Sequence, residues 1–414
     1  MSKKILVIGG GVIGTSCAYY LARGGHDVTL IERNTHGSGC SHANCGYVSP
    51  SHVLPLATPG AVNSTLRAMF GRNSPFYIKP RFSWALWSWL FKFARRCNEK
   101  AMNESAAGIH ALLQSSRRKY EELFAAEGID PEWETKGLMF VFQTAAGMAH
   151  HGHSAEICRD EYGIEVRRVE GEELPKSEPA LLPGLAGGWH YKCDAHLRPD
   201  RLMSDWRDVI VRHGAKVIEN CGFESFVHSN GQAAAAKTSQ GEMEADTFVL
   251  ATGAWTPQLK LELGCKIPIQ PGKGYSMTMA RPERCPSVPM MFEEHRVAVT
   301  PMQSGYRLGS IMEFAGYDDT LNLRRMKILT ESAKLYLHEP TAEPVTERWT
   351  GWRPMTYDSR PIIGPAPAAP NVILAAGHNM LGLSMATGTG TLVSELIDGR
   401  EPHVPPEPYS PARF

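Results

Sequence analysis

The sequence predicts two domains, an α/β domain built to bind a dinucleotide and a second α+β domain with an antiparallel sheet. Three observations carry that expectation: a strand, glycine turn, helix, strand opening; a length of 414 residues; and strand-length apolar runs that recur to the carboxyl end. A chain of this length exceeds one ordinary domain and suffices for two sizeable cores. Forty-three basic residues balance 43 acidic ones, so net charge gives no reason to expect a nucleic-acid partner. A hydrophobic fraction of 43% with 21% charged residues fits a globular protein rather than a disordered one. Nine cysteines include no C-x-x-C pair, which argues against a disulfide framework or a zinc ribbon and for reduced thiols. The chain enters its first strand within a few residues of Met1, leaving no room for a signal peptide. The reduced thiols lead to the expectation of a cytoplasmic protein, and no apolar run approaches the roughly 20 residues of a membrane span.

Taken in order, residues 5–8 form a continuous apolar run, as expected of a parallel strand buried on both faces. Val12, Ile13, Cys17, Tyr20 and Leu21 recur at helical spacing until Gly24 and Gly25 stop the helix. Residues 28–31 are the second strand. Pro50, Pro55, Pro59 and Gly60 punctuate a loop, and Ile109, Leu112, Leu113, Tyr120, Leu123 and Phe124 mark a helix over 101–127. A strand at 137–142 and a helix at 149–161 follow. A helix-rich stretch near 200 leads to a strand at 247–250. Residues 267–279, 297–300 and 306–310 read as strands of the second sheet, with a helix over 324–338. The last strand, 372–376, runs into Gly377 and a further helix. Residues 365–370 read as a connecting loop.

The strongest local signal is Gly9-x-Gly11-x-x-Gly14, set between the first strand and the first helix. Gly9 permits the tight turn, Gly11 lets backbone approach a pyrophosphate, and Gly14 lets helix and strand pack closely. The amino end of the helix, at Val12 and Ile13, then offers N–H groups to the phosphates. Glu32 lies 18 residues beyond Gly14, at the end of the second strand, where an acid accepts from ribose hydroxyls. Together these specify a Rossmann-like dinucleotide site, and Glu32 suits NAD or FAD equally.

Further segments carry a resemblance. Ser41-His-Ala-Asn44-Cys-Gly46, the run from Val249 to Trp255, Gly187-Gly188-Trp189 with Asp194 and Pro199, and the run from Trp349 through Gly351, Arg353, Pro354 and Thr356 to Asp358 resemble the D-amino-acid dehydrogenase and glycine oxidase group of flavoproteins, the relatives of D-amino-acid oxidase. Gly377-His378-Asn379-Met380-Leu381-Gly382 resembles the group's segment that closes over the flavin ring. The match spans the chain in order. Lys273-Gly-Tyr275-Ser and residues 297–300 bring it nearest the D-amino-acid dehydrogenases, including those acting on D-proline-like and D-hydroxyproline acids. The resemblance implies FAD as cofactor, held by Gly9, Gly11, Val12, Ile13, Gly14, Glu32, Arg33, Ser41, Asn44, Gly46, Ala251, Thr252, Gly253, Trp255, Gly377, Asn379, Met380, Leu381 and Gly382. It implies hydride transfer from the alpha carbon of a small amino or imino acid, with Arg353 as carboxylate anchor because its planar fork binds a carboxylate bidentately. Tyr275 and His52 are further candidates for contact with substrate; a core tyrosine with a satisfied hydroxyl is the competing reading of Tyr275. His378 reads as a packing residue. Whether electrons pass to a quinone-like carrier or to dioxygen, as in a glycine- or sarcosine-type oxidase, stays open, as does a flavin-binding subunit without turnover.

The FAD domain is expected at 1–80, 168–262 and 350–414, and the substrate domain at 81–167 and 263–349. His150, His151 and His153 read as an exposed polar turn rather than a metal site. From Arg67 to Lys100 the chain holds eight basic residues against the single acid Glu99, interleaved with Trp84, Trp87, Trp89, Phe91 and Phe93. Two readings of that stretch stand: a peripheral contact with the inner face of a membrane, or core aromatics with solvated cations.

Overall fold

The structure is a computed structural model that describes residues 1–62 and 76–414. Its first sheet has the strand order Ile362–Ala366, Ala369–Ala376, Thr247–Leu250, Lys4–Ile8, Asp27–Ile31, Lys216–Ile218. All neighbours are parallel except the first two, which form a hairpin. The apolar run at the amino end is buried on both faces, as a central parallel strand must be. On one face lie the helices Val12–Arg23, Glu99–Glu127, Pro199–Arg212 and Gly382–Asp398, whose buried residues form one core with Ile5, Val7, Val28 and Leu30. On the other face Phe226, Ala233 and Ala236 meet Leu6, Ile8 and Phe248. They come from an antiparallel meander, Phe223–Ser229, Gln232–Thr238 and Gly241–Glu244, which the sequence did not announce.

Among the described residues the second sheet has nine strands. Val345–Thr356, Ile269–Met279, Gly305–Phe314, Val297–Met302, Met290–Phe292, Leu138–Phe142, Gly187–Tyr191 and Val166–Glu170 follow one another, and Phe76–Ile78 pairs with Gly305–Phe314. It is mixed rather than antiparallel throughout: Met290–Phe292 runs parallel to Leu138–Phe142, and Phe76–Ile78 runs parallel to its neighbour. Both joints link strands distant in sequence, so no tight hairpin imposes an antiparallel turn.

Sheet membership departs from the expected division of the chain. Phe76–Ile78, Val166–Glu170, Gly187–Tyr191 and Val345–Thr356 belong to the second sheet, although all or part of each was expected with the nucleotide domain. Conversely Glu99–Glu127 buries Ile109, Leu112, Leu113, Tyr120 and Leu123 in the core of the first sheet. Its helical spacing was legible, but the partner of its apolar face was not. The proline-rich 365–370 stretch is a tight hairpin at the sheet edge, where a proline interrupts no interior ladder. The three histidines sit inside helix Ala145–Tyr162, capped by Thr144 and Gly163, and not in a turn. Gly152 admits the Trp189 ring, and His151 packs on Phe140 at 4.6 Å between ring centroids.

Candidate active site

The parallel sheet and the nine-stranded sheet meet at a cavity of about 2410 Å³, its open mouth included. Carboxyl ends of parallel strands make such crevices because helix amino ends converge there. Gly9 has φ +111°, and a Cβ on it would lie 2.6 Å from the Ala251 carbonyl oxygen. A Cβ on Gly14 would lie 1.8 Å from the oxygen of Gly9, so any side chain would force helix and strand apart. Gly11 differs: its nearest neighbour is Ser41 Oγ at 3.4 Å, and it lines the cavity. Two glycines thus shape the turn while one exposes backbone, which is what a pyrophosphate cradle requires. Gly11 caps helix Val12–Arg23 without a side chain, and Val12 N–H donates to Ser41 Oγ at 2.9 Å. Glu32 accepts from Gly10 N–H at 2.8 Å and from Asn34 N–H at 3.0 Å. Held so, the carboxylate keeps acceptor capacity for ribose hydroxyls. Arg33 lies over the Trp255 ring at 3.8 Å.

Val12, Ile13, Glu32, Arg33, Ser41, Asn44, Ala251, Thr252, Gly253, Trp255, Asn379, Met380, Leu381 and Gly382 all line the cavity with Gly9 and Gly11. Gly14, Gly46 and Gly377 stand behind its wall instead. A Cβ on Gly46 would lie 2.1 Å from the Leu197 oxygen, and one on Gly377 would lie 2.7 Å from Thr356 Cγ2. The Asn44 side chain turns back on its own loop, accepting from Gly46 N–H at 2.8 Å. Asn379 accepts from Thr356 N–H at 2.9 Å and donates to the Gly377 oxygen at 3.0 Å, tying its loop to the strand that carries Arg353. Leu381 caps helix Gly382–Asp398, so a second helix amino end, with its partial positive charge, opens on the cavity. His378 is buried beside Thr389 Oγ1 at 3.0 Å, and burial holds its pKa down to about 3. It is a neutral packing ring.

On the sheet side, Arg353 Nη1 donates to the Ile311 oxygen at 2.8 Å and Nη2 to the Ser310 oxygen at 3.3 Å. A bulge turns those carbonyls toward it: the register shifts there, Ser310 has φ +129° and Ile311 has φ +59°. Such angles are strained for residues with a Cβ, most of all for a β-branched one. Gly274 makes the space, because a Cβ on it would lie 2.3 Å from Arg353 Nη1. No carboxylate lies within ion-pair distance of Arg353 among the described residues, unlike Arg307, Arg325, Arg360 and Arg413. Cys40 and Cys45 are close enough to feel its charge, but burial raises their pKa values, so these neighbours are neutral thiols.

Tyr275 lines the cavity, but its hydroxyl donates to Glu313 Oε2 at 2.8 Å. The expectation of a hydroxyl aimed at substrate is corrected here: burying Glu313 demands a donor, and Tyr275 supplies it. His52 lines the cavity with its ring 5.6 Å from that of Phe140, and its Nδ1 is buried with no partner among the described residues. Burial lowers its pKa to about 4, leaving the ring neutral. Trp349, Trp352, Met291 and Ala298 are also in the wall; Trp349 and Ala298 lay in segments that carried the resemblance, but none of the four was named as a site residue. Large aromatics beside Arg353 on one strand were the signal available for the two tryptophans.

A family model described as DAO, FAD dependent oxidoreductase, matches residues 4–396. A D-amino acid dehydrogenase of Methylobacterium nodulans is 34% identical over 423 aligned positions, covering 99% of each chain. One of Granulibacter bethesdensis is 31% identical at the same coverage. Glycine oxidase from Geobacillus kaustophilus superposes with a TM-score of 0.81 at 21% identity, covering 100% of this chain and 99% of that one. L-proline dehydrogenase from P. horikoshii gives 0.73 at 21% identity, with 100% and 98% covered. These two likenesses speak for the fold.

Proposed function

Because the chain belongs to the DAO family of FAD-dependent oxidoreductases, we propose that it is a dehydrogenase of a small D-amino or D-imino acid, with D-proline-like and hydroxy-D-proline-like acids favoured. Arg353 carries this reading: a guanidinium without an acidic partner among the described residues, fixed in the wall of the dinucleotide cavity. Two carbonyls set its plane, and its remaining N–H groups are free to take a carboxylate. The handedness rests on the relatives named D-amino acid dehydrogenase. The cavity that holds Arg353 is also walled by Tyr275, Met291, Ala298, Trp349 and Trp352; its acid Glu32 is bonded into the glycine turn and its other arginine, Arg33, is stacked on Trp255. Such walls favour a substrate whose remainder is uncharged, and flat aromatic walls suit a pyrrolidine ring.

FAD, when bound, supplies the acceptor for the hydride that leaves the alpha carbon. Arg353 fixes the carboxylate and through it the alpha carbon, so that geometry rather than a strong base sets the rate. Neutral His52 offers a ring nitrogen to the substrate amine without adding charge to the site. The aromatic and apolar part of the wall limits water at the reacting carbon, and the imine formed hydrolyses after release or stays cyclic. Electrons then pass to a carrier, a membrane quinone in this reading, with peripheral membrane contact through the stretch from Arg67 to Lys100. Residues 67–75 of that stretch lie outside the described residues. No helix among the described residues is long and apolar enough to cross a membrane.

Anaerobic mixing of the purified flavoprotein with D- and L-amino acids, proline and the hydroxyprolines included, tests the reading. Rapid loss of flavin absorbance with one D-acid, and slow turnover in air without an added acceptor, are expected. A flavin that no member of the panel reduces would overturn it.

A further inference from the structure

The strand that carries Arg353 presents two more residues on the same face. Side chains alternate along a strand, so Trp349, Gly351 and Arg353 of Val345–Thr356 share one side, and all three line the cavity. Gly351 stands opposite Gly274 of the neighbouring strand Ile269–Met279. Each of these glycines is covered by a different side chain. A Cβ on Gly351 would lie 2.0 Å from Cη2 and 2.4 Å from Cζ2 of the Trp349 indole. One on Gly274 would lie 2.3 Å from Arg353 Nη1 and 2.6 Å from Nη2. Indole and guanidinium therefore approach each other from opposite ends of the strand segment, over bare backbone. Facing positions on paired strands are about 5 Å apart, so the rim of the indole begins about one small ring's width from the anchor.

Trp349 is half-buried and, among the described residues, joins none of the packed apolar clusters. An indole held in a cavity wall outside the core gains most from a partner that covers its face. Across the sheet the floor is already filled. Trp349 faces Ser276, Ser276 faces Gly309, and a Cβ on Gly309 would lie 2.6 Å from Cys45 Sγ. Toward Arg353 the paired glycines instead let both side chains lie low. The result is a flat bed with a cation at one end and an indole at the other.

We propose that Trp349 determines which acid the site takes: with the carboxylate on Arg353, the body of the substrate lies on the indole. The Gly274–Gly351 pair then sets how far that body extends. Such a bed accepts an uncharged ring or a short apolar side chain and offers a charged one no partner. The inference deepens the dehydrogenase reading and rests on it for the position of the carboxylate.

The test titrates two unreactive carboxylates into the oxidised holoprotein and follows the change in flavin absorbance. Pyrrole-2-carboxylate has a flat ring and no hydrogen on its alpha carbon; acetate has no body beyond a methyl group. Wild type should bind the ring acid about 20-fold tighter than acetate, the gain expected from taking a small ring face out of water. Trp349→Ala should reduce that ratio to about 2 while acetate keeps its affinity, and Trp349→Phe should retain most of it. Gly351→Ala keeps the indole but lifts it, and should lower the ratio about fivefold. In turnover, Trp349→Ala should raise flavin reduction by D-phenylalanine relative to D-proline by about tenfold or more. The proposal fails if wild type binds the ring acid no tighter than acetate, or if the ratio survives in Trp349→Ala. It fails also if Trp349→Ala sheds FAD while Gly351→Ala keeps the wild-type ratio, since the indole would then be a cofactor contact. A flavin that no acid reduces would strike the dehydrogenase reading instead, and the two dissociation constants would still decide the role of Trp349.

Discussion

A guanidinium in a cavity wall is costly unless its donors are used, and Arg353 spends part of its fork on the oxygens of Ser310 and Ile311. What remains is matched to a carboxylate. Replacing it, Arg353→Leu, removes a charge-assisted pair worth about 3 kcal/mol, so the substrate KM should rise on the order of 100-fold while FAD stays bound. Steady-state kinetics together with the visible flavin spectrum of the purified variant check both halves. An unchanged KM would remove Arg353 from the site. Gly274→Ala makes the same point from the neighbouring strand: its Cβ would lie 2.3 Å from Nη1, so the fork must swing. A rise of about tenfold in KM with an intact spectrum is expected, since displacement of an anchor is less severe than its loss.

Among the elements, strand Gly305–Phe314 matters through its bulge, which buys the orientation of two carbonyls with backbone strain. Ser310→Gly fits φ +129° without a clashing Cβ and should be neutral to about 1 kcal/mol stabilising. Ser310→Val should cost about 2 kcal/mol, because a β-branched residue resists that angle. Thermal unfolding at saturating FAD ranks the three proteins, and a valine variant as stable as wild type would show the strain to be absent. Nothing in the amino-acid order signals this bulge, since Ser310 and Ile311 continue an ordinary strand pattern and the distortion arises from tertiary pairing. The same limit hid the meander of residues 223–244. Its middle strand, Gln232–Thr238, is largely alanine, poor in the β-branched residues that mark strands. By contrast Gly9, Gly11, Gly14 and Glu32 were legible because steric need leaves few alternatives at those positions. Long periodic helices such as Glu99–Glu127 were legible in extent, yet their docking partner depends on which apolar face is free in three dimensions. The placement of Gly14, Gly46 and Gly377 behind the cavity wall shows the related limit: a motif tells that a glycine is needed, and only geometry tells what it makes room for.

Across the whole molecule, the loop that brings His52 to the cavity is held from the second sheet by one buried acid. Asp194, just beyond strand Gly187–Tyr191, accepts from Ser51 N–H at 3.0 Å and from the Ser51 hydroxyl at 2.6 Å. Asp194 is fully buried, and that burial drives its pKa from 3.8 up to about 7 although its hydrogen bonds pull the other way. The folded protein thus keeps a proton that the unfolded chain sheds near pH 4. The stability contributed by the protonated form is complete below that pH and is lost as pH rises through about 7. The displacement corresponds to on the order of 4 kcal/mol between those limits. Asp194→Asn has no proton to lose and retains an acceptor for Ser51 N–H. Its melting temperature relative to wild type should therefore climb between about pH 5 and about pH 8.5, when both are unfolded with FAD at the same excess. A pH-independent difference between the two proteins would mean that Asp194 titrates as it does in water, and that the His52 loop is not held by a buried protonated acid.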